Sequence, residues 1–226
     1  MDRVVIYGAG GLGRVVRDLL VQQRRAQIVG YLDSDAKLAG GEVDGLPIFG
    51  GIDRVPGLRW QGVTHAIVAI GNNAARIRTA RQLVARGLRL ASAIHPLASI
   101  ASSAALGSHL IIGARVNICV HSRIEDDVVL MTGVNVDHDN VIESGAFLHT
   151  AVRLAGGVRV GRRAVLEIGA SVIPGRTIGA RARVAAGSIV ISDVPEGAVA
   201  AGAPARVTNP TESPAGERQA RKMSPV

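Results

Sequence analysis

The sequence predicts an α/β, Rossmann-like half-domain followed by a parallel β-helix of hexapeptide repeats. Two observations predict this fold class. The N-terminal region alternates apolar, strand-like runs with segments of helical periodicity. From residue 94 onward, an aliphatic residue recurs at every sixth position. We place the half-domain at residues 1–92, the β-helix at 93–207, and an aperiodic tail that we expect to be disordered at 208–226.

The N-terminal half-domain is predicted to contain three strands and two helices in alternation. We expect strands at 3–7, 28–32 and 65–70, and helices at 11–23 and 74–86. Strands that alternate with helices in this way are typical of a parallel sheet.

A glycine-rich motif follows the first strand. In VVIYGAGGLG, Gly8, Gly10 and Gly13 match G-x-G-x-x-G, and Asp33 follows at the spacing of a ribose-binding carboxylate. Taken alone, this motif indicates an NAD-dependent oxidoreductase. This enzyme class stays open as an alternative function for the protein. The region before the repeats has room for little more than one mononucleotide-binding half, so the helix N-terminus suits a single nucleotide phosphate. A structural role, in which the glycines only shape a tight turn, also stays open.

The β-helix is predicted from seventeen consecutive hexads, whose aliphatic anchors run from Ile94 to Val190. Small or β-branched residues mostly stand four positions after the anchor, where they share the interior. Glycine often follows the anchor directly, as at Gly107 and Gly161, and we expect it to permit a tight corner. Three hexads make one coil of about 18 residues, so the repeats predict between about five and six coils.

Taken together, both halves resemble the sialic acid O-acetyltransferase-like family of left-handed β-helix acyltransferases, which includes bacterial N-acetyltransferases of nucleotide-linked 4-amino sugars. The resemblance extends from about residue 3 to 207, and it rests on the ordered segments VVIYGAGGLGRVVRDLL, YLDSD, AIVAIGNNAARIR, IHPLASI, VDHDNVI, GASVIPGRTIG and DVPEGAVAAGAPARV. It implies an acetyl-CoA-dependent N-acetyltransferase that works as a homotrimer, with CoA held between adjacent β-helices. A sugar O-acetyltransferase and a non-catalytic trimeric scaffold stay open as alternatives.

The resemblance also implies that the nucleotide sugar binds to the N-terminal half-domain. The matching positions follow the first, second and third strands, and they are Gly10, Gly11, Leu12, Asp33, Ser34, Gly71 and Asn72. Leu12 departs from the family, in which His is common at this position, so a polar contact to the substrate is missing.

His138 is the candidate general base. It stands at the third hexad position between Asp137 and Asp139, where the register points it away from the packed axis. An imidazole beside a carboxylate suits proton transfer near neutral pH, although a surface ion pair explains the same residues. One coil later, Gly156 leaves space beside the imidazole and exposes a backbone N–H for an oxyanion. The resemblance implies that His138 is the general base, that Asp139 raises its basicity and that the Gly156 N–H faces the thioester. It also implies direct transfer of the acyl group, without a covalent enzyme intermediate.

The same resemblance also implies which residues bind CoA. The matching positions are Phe147, His149, Gly156, Ile168, Ala186, Pro204 and Arg206. Phe147 stands where the family often has His, and we expect His149 to replace that polar partner. Glu167 stands where small residues are usual and is expected to narrow the channel.

The other histidines are not expected to take part in catalysis. His65 opens a strand and His95 lies in the turn between the domains, whereas His109 and His121 stand at the fourth hexad position and are predicted to lie on the surface. No metal site is expected, because His138 and His149 lack a third ligand at a suitable spacing.

The amino-acid composition limits the classes of partner that the protein is expected to bind. The net charge of +8 arises from 26 Lys and Arg residues, nearly all arginine, and their scattered positions favour a solvated surface over nucleic-acid binding. The densest arginine clusters, at 162–163 and 176–183, are candidates for contacts with phosphates. A single cysteine, no signal sequence and no apolar run long enough for a membrane span favour a cytoplasmic protein.

Overall fold

The computed structural model describes residues 1–208, so the predicted tail beyond Thr208 lies outside the described residues. In chain order, the half-domain consists of β1 (Asp2–Tyr7), α1 (Gly11–Gln23), β2 (Ala26–Leu32), β3 (Glu42–Val43), β4 (Leu46–Pro47), α2 (Val55–Trp60), β5 (His65–Val68), α3 (Asn73–Ala85) and β6 (Arg89–Leu90). Short 3₁₀ turns at Ala36–Leu38 and Ile52–Arg54 lie in the connection between β2 and α2.

The half-domain contains a parallel sheet, as the alternation of strands and helices predicts, in the order β2–β1–β5–β6. Its fourth strand, β6, and the short helix α2 were not predicted. One face of the sheet packs against the apolar side of α1, around Ile6, Val16 and Ile67. The other face packs against α2 and α3, around Val5 and Leu83. Burial on both faces explains why β1 and β5 are nearly continuous apolar runs.

The repeats form seventeen two-residue strands, and each predicted anchor is the second residue of its strand. They are β7 (Ala93–Ile94), β8 (Ser99–Ile100), β9 (Ala105–Leu106), β10 (Ile111–Ile112), β11 (Asn117–Ile118), β12 (Arg123–Ile124), β13 (Val129–Leu130), β14 (Asn135–Val136), β15 (Val141–Ile142), β16 (Phe147–Leu148), β17 (Arg153–Leu154), β18 (Arg159–Val160), β19 (Val165–Leu166), β20 (Ser171–Val172), β21 (Thr177–Ile178), β22 (Arg183–Val184) and β23 (Ile189–Val190). A hairpin of β24 (Val199–Gly202) and β25 (Ala205–Thr208) follows. The hexad prediction is therefore confirmed strand by strand.

Every third strand pairs in parallel with the next, so the strands stack into three walls. The first wall runs from β7 through β22 to the hairpin, the second from β8 to β23, and the third from β9 to β21. The anchors and the residues four positions later fill the interior, where Val116, Leu130 and Ala164 are fully buried. The predicted fold class, a Rossmann-like half-domain followed by a β-helix, is confirmed.

The corners are made by the fourth hexad residue, which takes a left-handed backbone conformation, as at Asp139 (φ 58°) and Gly157 (φ 69°). The prediction that glycine after the anchor permits the corner is wrong. A Cβ at Gly161 would lie 2.5 Å from the Ala180 nitrogen of the next coil, so this position is small because the coils approach closely there.

Two buried polar side chains join the half-domain to the β-helix. Arg76 is fully buried and donates to the carbonyls of Ile70, Asp127 and Gly145 as well as to the Asn73 side chain. Burial lowers its pKa to about 10, against the opposing charge of Asp127. His109 receives the Val68 N–H at Nε2, at 3.0 Å.

The surface position predicted for His109 is therefore wrong, because its side chain is only 1% exposed. Its hexad position does face outward, but the half-domain covers this corner of the β-helix. His121, at the equivalent position one corner away, is exposed as predicted.

Candidate active site

The predicted nucleotide-binding residues meet at one edge of the half-domain sheet. Tyr7, at the end of β1, lies level with Leu32 of β2 and Val68 of β5. The turns that follow these three strands are therefore adjacent, and they carry the predicted residues Gly10, Gly11, Leu12, Asp33, Ser34, Gly71 and Asn72. Ligands of open parallel sheets bind at this carboxyl edge.

The glycines of the first turn divide into two kinds. Gly8 has φ 113°, and a Cβ at Gly13 would lie 1.9 Å from the Gly8 carbonyl oxygen, so these two shape the turn. A Cβ at Gly10 or Gly11 would meet nothing within 4 Å, so neither is required by packing. No side chain of residues 1–208 caps α1 at this end. Its first N–H groups are therefore open to an anionic group such as a phosphate.

Asp33 and Asn72 also serve the fold. Asp33 receives the N–H groups of Ala9 at 2.8 Å and Asp35 at 2.9 Å, and it thereby ties the first two turns together. Asn72 caps α3 by receiving the Ala75 N–H at 2.9 Å. Sequence reasoning missed these roles, although Asn before a helical segment is a recognisable capping signal.

A cleft of about 290 Å³ opens beside Asp33 and Ser34. Its far side comes from the connection between β2 and α2, including Gly51, Asp53 and Arg54. These residues were not predicted as site residues. The glycine-rich connection was the only signal for them in the sequence.

His138 lies at the corner between the second and third walls, with 56% of its side chain exposed. Its Nδ1 lies 2.8 Å from Asp139 Oδ2, and its backbone N–H donates to Asp137 Oδ1 at 2.8 Å. Asp137 therefore holds the backbone while Asp139 orients the ring. The two predicted carboxylates have different tasks.

The hydrogen bond that the ring makes to Asp139 raises the pKa of His138. Desolvation opposes this effect, and the charges of Asp137 and Asp139 add to it. With the proton on Nδ1 directed at Asp139, Nε2 carries the free lone pair. No hydrogen bond to Nε2 is formed within residues 1–208. This nitrogen is therefore free to accept a proton from a bound amine.

Gly156 lies directly against the His138 ring. A Cβ at Gly156 would be 2.4 Å from both Cε1 and Nε2 of His138, so any side chain here would displace the imidazole. The Gly157 N–H donates to the His138 carbonyl at 2.9 Å and holds the two coils together. Among the described residues, the Gly156 N–H has no acceptor. The structure thus brings a free basic nitrogen and a free backbone donor to one place.

Apart from Gly156, the predicted CoA-binding residues lie away from His138. Ile168 and Ala186 are exposed at the corner between the first and second walls, and Pro204 and Arg206 are exposed on the terminal hairpin. The second wall separates them from His138. One chain therefore does not bring these four predicted cofactor residues to its own candidate base.

Phe147 and His149 are placed differently from the other predicted cofactor residues. Phe147 is only 5% exposed and packs among half-domain residues, with its ring 4.4 Å from that of His149 and 5.6 Å from the Arg76 guanidinium carbon. It serves the contact between the domains, and its role toward CoA stays a prediction. Burial lowers the pKa of His149, which favours a neutral ring.

No group of three or more His, Cys, Asp or Glu side chains among residues 1–208 is arranged to hold a metal ion. No helix in the same range has the length and hydropathy needed to cross a membrane.

The chain is similar to proteins of known structure over nearly its whole length. Residues 3–83 match the family model described as the PglD N-terminal domain. PerB from Caulobacter crescentus, whose structure holds CoA and GDP-perosamine, is 39% identical, with 92% of this chain and 98% of that chain covered and a TM-score of 0.87. The chain belongs to this family of hexapeptide-repeat nucleotide-sugar N-acetyltransferases.

Other members of the family agree with this assignment. Histidine variants of the Caulobacter enzyme, described as a GDP-perosamine N-acetyl transferase, were also solved with CoA and GDP-perosamine. The acetyltransferase domain of PglB from Neisseria gonorrhoeae, solved with acetyl coenzyme A, is 28% identical, with 92% of this chain and 99% of that chain covered and a TM-score of 0.84. Membership in the family confirms the resemblance and the left-handed β-helix predicted from the sequence.

Proposed function

We propose that the protein transfers the acetyl group of acetyl-CoA to the amino group of a nucleotide-linked amino sugar. The observation that carries the proposal is the corner at which Gly156, whose N–H has no acceptor among residues 1–208, lies against the His138 ring and its free Nε2. The 39% identity to PerB, solved with CoA and GDP-perosamine, supports both substrate classes. The open N-terminus of α1 provides a place for the nucleotide phosphate.

In the proposed reaction, the amine nitrogen attacks the thioester carbonyl while His138 Nε2 accepts the amine proton. The Gly156 N–H donates to the oxyanion of the tetrahedral intermediate. When this intermediate collapses, the carbon–sulfur bond breaks, the amide is complete and the CoA thiolate leaves. The imidazolium returns its proton to the thiolate or to water. Asp139 stabilises the imidazolium while the proton is held.

We further propose a homotrimer in which each site is shared by two chains. The predicted cofactor residues Ile168 and Ala186 lie one wall away from His138, so a single chain does not complete the site. The second wall between them exposes Ile173, Ile189 and Ile191 at 38%, 44% and 48%. Exposed isoleucines on a flat wall favour burial against a neighbouring chain, which would bring its cofactor residues to this base.

An NAD-dependent oxidoreductase is disfavoured by the half-domain itself. Its parallel sheet has four strands, in the order β2–β1–β5–β6, which corresponds to one mononucleotide-binding half. The chain continues directly from β6 into the first hexad strand, and residues 93–208 form the β-helix and its hairpin, so the described part of the chain contains no second half.

The test is an assay of CoA release from acetyl-CoA with GDP-perosamine and with the matching 4-hydroxy nucleotide sugar. We expect release with the amino sugar and amide formation in the product. Release with the hydroxy sugar alone would replace the proposal with O-acetylation. If UDP-, GDP- and dTDP-linked amino sugars all leave acetyl-CoA intact, the proposed function is wrong.

A further inference from the structure

A large groove shares no lining residue with either site described above. It encloses about 900 Å³ between α3 and the corner at which the third wall meets the first. Five arginines line it, and we call it the arginine groove: Arg78, Arg81, Arg86, Arg162 and Arg163. The first two lie on one face of α3 and the last two on a coil of the β-helix, so separate parts of the chain bring their charges together.

Among the described residues, none of the five guanidinium groups has a carboxylate partner, unlike those of several arginines on the β-helix. Elsewhere, Arg159 pairs with Glu143, Arg183 with Glu167, and Arg181 with Glu196. Within residues 1–208, no carboxylate oxygen lies within 4.0 Å of a guanidinium nitrogen of the five groove arginines.

Two carboxylates do lie in the arginine groove, but both are already engaged. Asp126 receives the N–H and the hydroxyl of Ser108, at 2.7 and 2.8 Å. Asp127 pairs with His109 at 2.6 Å. The groove is therefore a concave surface with excess positive charge, which attracts anions with several negative charges.

An apolar recess of about 280 Å³ adjoins the arginine groove and shares Arg81 with it. Ile77, Ala80, Val84 and Leu90 line this recess, and Val84 is 50% exposed. Guanidinium groups bind phosphates with paired hydrogen bonds, whereas a small apolar recess suits a planar ring. A phosphate-rich ligand with one flat, weakly polar end matches both parts.

We propose that the arginine groove binds a nucleoside diphosphate, with the phosphates on the arginines and the nucleobase in the recess. This chemistry has two sources, a free nucleotide or the phosphorylated ADP end of CoA. The lining residues of the arginine groove differ from those proposed for the nucleotide sugar at the sheet edge and from those at the His138 corner. It does not depend on the proposed function, because binding can be measured without turnover.

The probe is ADP, measured by its protection of the protein against photolabelling with 2-azido-ADP. Label in peptides from residues 74–90 reports on the recess, and the ADP concentration that halves this label gives a site-specific affinity. The test variant is R78A/R81A. The matched control is R25A/R89A, which also removes two exposed arginines, but outside the groove. Thermal unfolding of both variants checks that the fold is retained.

We expect R78A/R81A to raise the half-protecting ADP concentration by about tenfold or more, since it removes two charge-assisted contacts. The control should match the wild type. Competition by acetyl-CoA would identify the ligand as the ADP end of CoA, and its absence would identify a free nucleotide. The proposal is overturned if residues 74–90 take no ADP-protected label, or if R78A/R81A is protected as well as R25A/R89A. Loss of acetyl transfer alone would not affect either result.

Discussion

Two histidine–aspartate pairs lie at different corners of the β-helix, and they differ in what faces the second imidazole nitrogen. His109 lies 2.6 Å from Asp127, is 1% exposed, and uses Nε2 to receive the Val68 N–H. His138 lies 2.8 Å from Asp139, is 56% exposed, and turns Nε2 toward Gly156. A carboxylate partner fixes the ring in both pairs. The accessibility of Nε2 therefore distinguishes the candidate base His138 from His109, which links the two domains.

Replacement of His138 by Asn should have the largest effect on turnover. Asn has nearly the size of the imidazole but no basic nitrogen, so we expect kcat to fall by roughly 10² to 10⁴. The melting temperature should hardly change, because the side chain is exposed. His121→Asn is the control, since His121 is also exposed. A rate within threefold of wild type would remove His138 from the mechanism.

Gly156→Ala tests the geometry of the same pair without removing its base. The new Cβ would lie 2.4 Å from His138 Nε2, so the ring must move, and we expect kcat to fall by about 10². Gly57→Ala is the matched control, because a Cβ there meets nothing within 4 Å. Full activity of Gly156→Ala, measured at saturating acetyl-CoA, would show that the ring position is not critical.

Asp139→Asn should shift the pH profile of the reaction. The hydrogen bond that His138 Nδ1 donates to Asp139 raises the pKa of His138, and His138 is an effective base only above that pKa. Without the carboxylate the pKa falls, so the acidic limb of kcat/KM should move to lower pH. The plateau rate should fall by about tenfold, because the weaker base transfers protons less well.

Asn suits this test because it tolerates the left-handed conformation of position 139, where φ is 58°. Asp137→Asn is the comparison, since the charge of Asp137 is a lesser cause of the raised pKa. An acidic limb that stays in place in Asp139→Asn would contradict the assigned role.

The sequence predicted the walls and interior of the β-helix well because they depend on a local period. Each anchor, from Ile94 to Val190, stands at the second residue of its strand, since one buried side chain per hexad fixes the register. The pairing of His138 with Asp139 and its contact with Gly156 follow from the same register. These features need only the spacing along the chain.

Features that depend on contact between the two domains could not be read from that period. His109 occupies a position that faces solvent in a bare β-helix, and only the docked half-domain covers it. Phe147 is buried for the same reason. The exposed positions of Ile168 and Ala186, one wall away from His138, show that even correct spacing does not place two residues in one site.

His109→Leu should have the smallest effect on turnover and a clear effect on stability. The change leaves the buried Val68 N–H and the Asp127 carboxylate without their partner, so we expect a loss of about 3 kcal/mol in the free energy of unfolding. The matched control is His121→Leu, because both residues occupy the fourth hexad position with left-handed backbones, φ 55° and 59°. Urea unfolding measures the difference.

At a temperature where both variants are folded, kcat of His109→Leu should stay within about threefold of wild type. The reason is that His109 is buried between the two domains, at a different corner from His138. If turnover collapsed while the unfolding midpoint stayed fixed, His109 would belong to the catalytic machinery and the contrast with His138 would fail. A fall in stability with retained kcat would instead show that the same type of pair has two roles. The exposed His138–Asp139 pair serves catalysis, and the buried His109–Asp127 pair holds the two domains together.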